Sequence, residues 1–230
     1  MVILQTLAIA IVALTPALIW LAFFLREDEH PEPPMLLTKT FAMGMLASVP
    51  ALALQLFFQN ILGDASEGFA YSIFVFAAVE ELFKFLGAYV VVNNSPDFDE
   101  PVDGMIYMVV AGLGFATVEN LFVVGSLVGL SGTAGLLAAG ETLFLRLVGA
   151  TLLHTLASAM IGYYWSKGIL KEQRSRYILL GLLAAVAVHG TFNYLVHIFE
   201  DVNLLFPTIF LVAVSFFIFA DFEKLKDAVR

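Results

Sequence analysis

FAYSIFVFAAVEELFKFLGAYVVVN, residues 69–93, decides how this chain folds. A helix crossing a bilayer core needs about 20 mostly apolar residues, and this stretch supplies them. Yet Glu80, Glu81 and Lys84 stand in its middle. These three form one knot in an otherwise apolar run. The stretch therefore reads as a membrane span whose centre holds ionisable groups.

Working outward, six further stretches have the same length and polarity: 2–25, 35–61, 102–130, 140–166, 176–199 and 204–221. Between the seven lie REDEHPEPP (26–34), GDASE (63–67), NSPDFDEP (94–101), SGTAG (131–135), SKGILKEQRSR (166–176) and EDVN (200–203), all rich in turn residues. The sequence predicts an all-α fold, a polytopic transmembrane bundle of about seven helices forming one integral membrane domain over 1–230. The first 25 residues lack a basic start and are apolar for too long to read as a secretory leader. The 102–130 stretch is long enough to be tilted or broken at its glycines.

The whole chain agrees: 60% of the residues are hydrophobic and 13% charged, against roughly half and a quarter in soluble domains. With no cysteine, disulfides, thiolate metal sites and cysteine nucleophiles are excluded. A net charge of −9 argues against nucleic acid as a partner, which needs clustered Lys and Arg. The lipid bilayer is the expected surrounding. With the N-terminus outside and the C-terminus cytoplasmic, nine of the eleven Lys and Arg fall on the inside and none in an outside loop, the bias that sets orientation. The other two, Lys84 and Arg146, lie within spans.

Other costly residues lie within spans: Glu119 and Asn120 in the fourth, Arg146 and His154 in the fifth, His189 and Asn193 in the sixth. Of these, Glu119, His154 and His189 can share the depth of Glu80 and Glu81. One ionised group at a span centre costs about 2.5–3.5 kcal/mol even on the lenient insertion scale, so these groups must face one another, a cation, a metal or water. Lys84 is four residues from Glu80 and three from Glu81, within reach of either carboxylate. His189 and Asn193, four apart, share a face. Four helices can thus offer three glutamates and two histidines to one cavity. Imidazoles and carboxylates are common zinc ligands, and catalytic zinc keeps a position for water. A buried Glu with a raised pKa can also activate water without metal. Both routes lead to peptide hydrolysis, and the residues alone do not choose between them.

Glu80-Glu81-x-x-Lys84, Phe115-x-x-x-Glu119-Asn120, the His154 helix ending in GYYW (162–165) and His189-Gly-x-x-Asn193 resemble, in order, the motifs of the PrsW family. The turn DEHPEPPMLL (28–37) and PVDGMIYMVVAGLGFATVEN (101–120) resemble that family too. The resemblance implies an intramembrane protease, similar to the CAAX prenyl protease and bacteriocin-processing superfamily, whose substrate is a membrane-anchored protein such as an anti-sigma factor. It implies catalytic roles for Glu80, Glu81, Lys84 and Asn193, and zinc as the cofactor, with Glu81, Glu119, His154 and His189 as its ligands. The signatures of other membrane proteases, His-Glu-x-x-His and Gly-x-Gly-Asp, are absent.

Blander readings stand beside these. Glu80, Glu81 and Lys84 can form a structural ion network, Glu119 can be satisfied by Asn120 or Arg146, and His154 and Asn193 can bond between helices. Arg146 is expected to snorkel or pair with Glu141, and Asp103 to cap a helix after Pro101. The rival functions are a proton- or ion-coupled transporter using the same Glu/His cluster, disfavoured by the lack of an internal repeat, and a non-catalytic scaffold.

Overall fold

The computed structural model of the chain describes residues 2–62, 69–199 and 204–228, with side chains over 9–61, 72–127, 140–199 and 204–228. It is a bundle of seven helices: α1 (Val2–Phe24), α2 (Pro34–Leu62), α3 (Phe69–Val92), α4 (Asp103–Val148), α5 (Ala150–Leu170), α6 (Arg174–Phe199) and α7 (Leu205–Asp227). No strand occurs among the described residues. Among the described residues, five stretches are long and apolar enough to cross a membrane: Pro34–Ile61, Asp103–Leu127, Gly140–Leu170, Arg174–Phe199 and Leu205–Asp227. The described apolar part of α1, Ile9–Phe24, is shorter, and α3 carries the three central charges.

α4 is not one straight rod. Arg146 Nη2 lies 3.0 Å from Glu119 Oε2, whereas 27 residues of straight helix would hold them about 40 Å apart. The arms 103–127 and 140–148 therefore lie side by side, as the separate spans 102–130 and 140–166 require. The first arm is unbroken. The interruption falls in the second span, at Gly149 (φ −111°, ψ −101°), between α4 and α5. Trp20 Nε1 donates to the Leu147 carbonyl there at 2.7 Å, so a backbone group at the break keeps a partner, as a low-dielectric setting demands.

The first arm of α4 is the axis of the bundle. Every residue from Val102 to Thr117 is buried, with α1, α2 and α5 packed around it. Small residues allow the closest approaches, the usual solution where lipid removes the hydrophobic drive for helix association. A Cβ on Gly44 would overlap the Ala111 carbonyl, and one on Gly162 would overlap the Gly104 carbonyl. α3 lies between α2 and α6, and α7 packs on α5 and α6. Large apolar side chains such as Phe216, Phe217, Val90 and Leu46 point outward, a surface suited to acyl chains.

The turns before α2, before α4 and before α6 meet the end of α7 at one end of the bundle. Lys226 Nζ donates to Glu27 Oε2 at 2.8 Å, Arg174 bonds to Asn93 and Tyr107 donates its hydroxyl to Glu32. The expected cap by Asp103 is not what forms. Asp103 is the first residue of α4 and bonds backward, its Oδ2 accepting from the backbone N–H groups of Asp99 (2.9 Å) and Glu100 (2.7 Å). The turn before it, held by Pro101, curls over the carboxylate.

Candidate active site

Helices α2 to α6 all contribute to one buried polar centre. α3 brings Glu80, Glu81 and Lys84, because helical spacing turns all three toward α5 and α6. Glu81 and Lys84 are fully buried and Glu80 nearly so. Lys84 Nζ donates to Glu81 Oε1 at 2.7 Å, lies 2.6 Å from His154 Nδ1 and is 3.9 Å from Glu80 Oε2. His189 Nδ1 lies 2.7 Å from the same Glu81 Oε1, and its Nε2 is 3.6 Å from Glu80 Oε2. The imidazoles of His154 and His189 meet edge to face, centroids 5.1 Å apart.

This network assigns the tautomers. A lysine ammonium only donates, so His154 Nδ1 accepts and its Nε2–H donates to Glu119 Oε2 at 2.9 Å. His189 Nδ1–H donates to Glu81, which turns the Nε2 lone pair toward Glu80. A carboxylate behind an imidazole in this way fixes ring and tautomer in metal centres.

One ligand atom each from Glu80, His154 and His189 lie within 4.8 Å of one another. Two further observations say that a metal ion fits. Glu80 Oε2 is buried and accepts no hydrogen bond, while Gln55 Nε2 holds the other oxygen at 2.9 Å. With both imidazoles neutral, three carboxylates face only Lys84 and Arg146, leaving a negative charge in a medium that penalises it.

Of the expected zinc ligands, His154 and His189 stand in this group of three with Glu80. Glu81 lies behind His189, and Glu119 lies behind His154, with Arg146 at 3.0 Å. Asn193 sits one turn beyond His189 and makes none of these contacts. Arg146 does not pair with Glu141. Its Nη2 bonds Glu119 and its Nε donates to Asn120 Oδ1 at 2.5 Å, because the second arm of α4 returns beside the first. Asn120 Nδ2 in turn reaches Thr151 Oγ1 and the Ala13 carbonyl, each at 3.3 Å. Gln55 was not singled out in the sequence. As an amide well inside a span, it carried a weaker form of the signal that exposed the glutamates.

A second acidic cluster at the turn end of the bundle also escaped the sequence. Asp28, Glu32 and Asp103 are all buried there. Burial, followed by the neighbouring acids Asp103 and Asp28, pushes the Glu32 carboxyl from 4.5 up to about 8, against the opposing Tyr107 hydrogen bond. The folded protein thus keeps a proton on Glu32 that the unfolded chain has released. Stability conferred in this way falls as pH rises from about 4.5 and is lost once pH passes about 8. Thermal unfolding in detergent at stepped pH should show the fall, and Glu32→Gln should flatten it; an unchanged slope in the variant would refute this role.

The bundle and its buried Glu/His centre define a class: a multi-pass membrane protein with a hydrolytic type of donor set inside the bilayer. A family model for PrsW family intramembrane metalloproteases matches residues 32–220, and the chain belongs to that family. It is similar to Protease PrsW of Geobacillus kaustophilus (strain HTA426), 32% identical over 180 residues, covering 75% of this chain and 72% of the relative. Protease PrsW of Oceanobacillus iheyensis is 28% identical over 200 residues, 86% and 87% of the two chains. Protease PrsW of Bacillus subtilis (strain 168) is 26% identical over 195 residues, 82% of each. No solved structure matches. The protein is therefore an intramembrane metalloprotease with a protein substrate in the membrane. The transporter reading of the same residues gains nothing from these relatives.

Proposed function

We propose that the chain hydrolyses a peptide bond of a membrane-anchored protein at a zinc centre held by Glu80, His154 and His189. The observation that carries this reading is the grouping of their ligand atoms within 4.8 Å in the buried interior. The chemistry that zinc supplies in such a set is acidification of the attacking water and polarisation of the scissile carbonyl.

The protein's own groups do the rest. Glu81 Oε2 is buried and accepts no hydrogen bond, which suits it to take the proton as water adds to the carbonyl carbon. The same oxygen returns that proton to the leaving nitrogen as the C–N bond breaks, so one carboxyl and one amine are released. Glu81 Oε1 meanwhile holds His189 in orientation. Glu119, tied to Arg146, does the same for His154. Asn193 is the proposed amide donor to the carbonyl oxygen as it gains charge. Lys84 and Arg146 compensate the carboxylates.

The proposed substrate is a single-pass protein such as an anti-sigma factor, cut where its helix unwinds close to the centre. The proposed orientation is N-terminus outside and C-terminus cytoplasmic, which puts the Lys- and Arg-bearing ends of the bundle inside.

The test is cleavage of a single-pass reporter by the purified protein in liposomes. Glu81→Gln keeps the shape and removes the base, so cleavage should fall at least about 100-fold with little change in zinc content. Undiminished cleavage in that variant would exclude Glu81 as the base.

A further inference from the structure

Lys84 occupies an unusual position for a cation. Its side chain is fully buried, yet it is not simply paired with one carboxylate. The ammonium lies 2.7 Å from Glu81 Oε1, 2.6 Å from His154 Nδ1 and 3.9 Å from Glu80 Oε2, with the Phe115 ring centroid at 4.8 Å. One positive charge thus sits where acid and imidazole donors from α3 and α5 converge, against the lone pair of a histidine grouped with Glu80 and His189.

We propose that Lys84 is a resident cation of the metal centre: it occupies the His154 lone pair when metal is absent and must leave His154 Nδ1 for a divalent ion to bind. The inference rests on the reading of Glu80, His154 and His189 as the metal-binding group. Two cations cannot share one imidazole lone pair, and in a low-dielectric interior a monovalent and a divalent charge repel strongly at such range. Binding therefore costs a displacement. On leaving His154, Lys84 keeps its 2.7 Å bond to Glu81 Oε1, and the face of Phe115, whose centroid is 4.8 Å away, attracts a cation.

Two consequences follow for the protein. Without metal, the buried carboxylates do not stand bare in the bilayer, so the bundle can assemble before loading. With metal present, only an ion that binds N and O donors tightly can evict the ammonium. This favours zinc-like ions over magnesium or calcium, which prefer oxygen ligands. Lys84 is thus a positioning residue that sets the threshold for loading.

The experiment compares wild type with Lys84→Met and Lys84→Arg, each purified in detergent and stripped of metal. Zinc is titrated against a chromophoric chelator, and the thermal midpoint is read with and without zinc. Lys84→Met keeps the volume and removes the charge. It should bind zinc at least about tenfold more tightly than wild type and gain more in thermal midpoint on zinc addition. Lys84→Arg, which keeps a cation, should bind no more tightly than wild type. If Lys84→Met is too unstable to strip, it is purified with zinc and the rate of zinc release to the chelator replaces the titration, slower release being the expected result. Zinc binding by wild type that is equal or tighter than in Lys84→Met overturns the proposal and leaves the metal centre standing. Failure of both proteins to bind zinc overturns the proposal and the metal centre together.

Discussion

Glu80→Gln is expected to abolish proteolysis while leaving the protein folded and inserted. The carboxylate that it replaces is the one with a buried, unengaged oxygen facing His189 Nε2 at 3.6 Å. An amide keeps the hydrogen bond from Gln55 through its own oxygen but is a far poorer metal ligand. Loss of a metal-polarised transition state removes several kcal/mol of stabilisation, and each 1.4 kcal/mol is tenfold in rate. A fall of about 10³-fold or more in cleavage is the expected size, with zinc content lost in parallel. Glu80 is slightly exposed and the amide keeps its Gln55 partner, so the thermal midpoint of the metal-free protein should move little. Cleavage within tenfold of wild type would remove Glu80 from the centre.

The second large effect falls on stability. Glu81→Leu strips the fully buried Lys84 of its 2.7 Å carboxylate and leaves His189 Nδ1–H without an acceptor. Breaking a buried pair from one side costs about 3–5 kcal/mol, because the remaining charge stays in the interior uncompensated. A sharply lowered unfolding midpoint, or failure to accumulate in the membrane, is expected. The double variant Glu81→Leu/Lys84→Met, which removes both charges, should recover much of the loss. Equal destabilisation in the single and double variants would show that Lys84 is not the source of the penalty.

Much of this was legible in the sequence, and the reason is energetic. In a chain whose other spans are bland, Glu80, Glu81, Lys84, Glu119, His154 and His189 stand out by cost alone, and helical spacing then groups them. The seven helices followed from the length of the apolar runs, and the turn residues marked where they end. What stayed hidden depends on how helices rotate and fold back. Glu80 and Glu81 are neighbours, about 100° apart around α3, so no spacing rule says which faces His189 Nε2 and which lies behind the ring. Arg146 could not be matched to Glu119 without the return of the second arm of α4 beside the first. The break at Gly149, rather than within 102–130, is equally a matter of packing, since Trp20 from α1 satisfies a carbonyl there. Glu32 lay in a stretch marked only by turn residues, and only the fold brings it against Asp103 and Tyr107.

The centre itself is tested most directly by metal analysis of the wild-type protein, purified in detergent in a state that still cleaves a reporter. Elemental analysis should find about one zinc per chain. X-ray absorption at the zinc edge should show nitrogen and oxygen ligands with two imidazoles and no sulfur, and removal of zinc by a chelator should stop cleavage until zinc is restored. A preparation that cleaves at full rate with no bound metal would contradict the account and leave a carboxylate-activated water to do the chemistry.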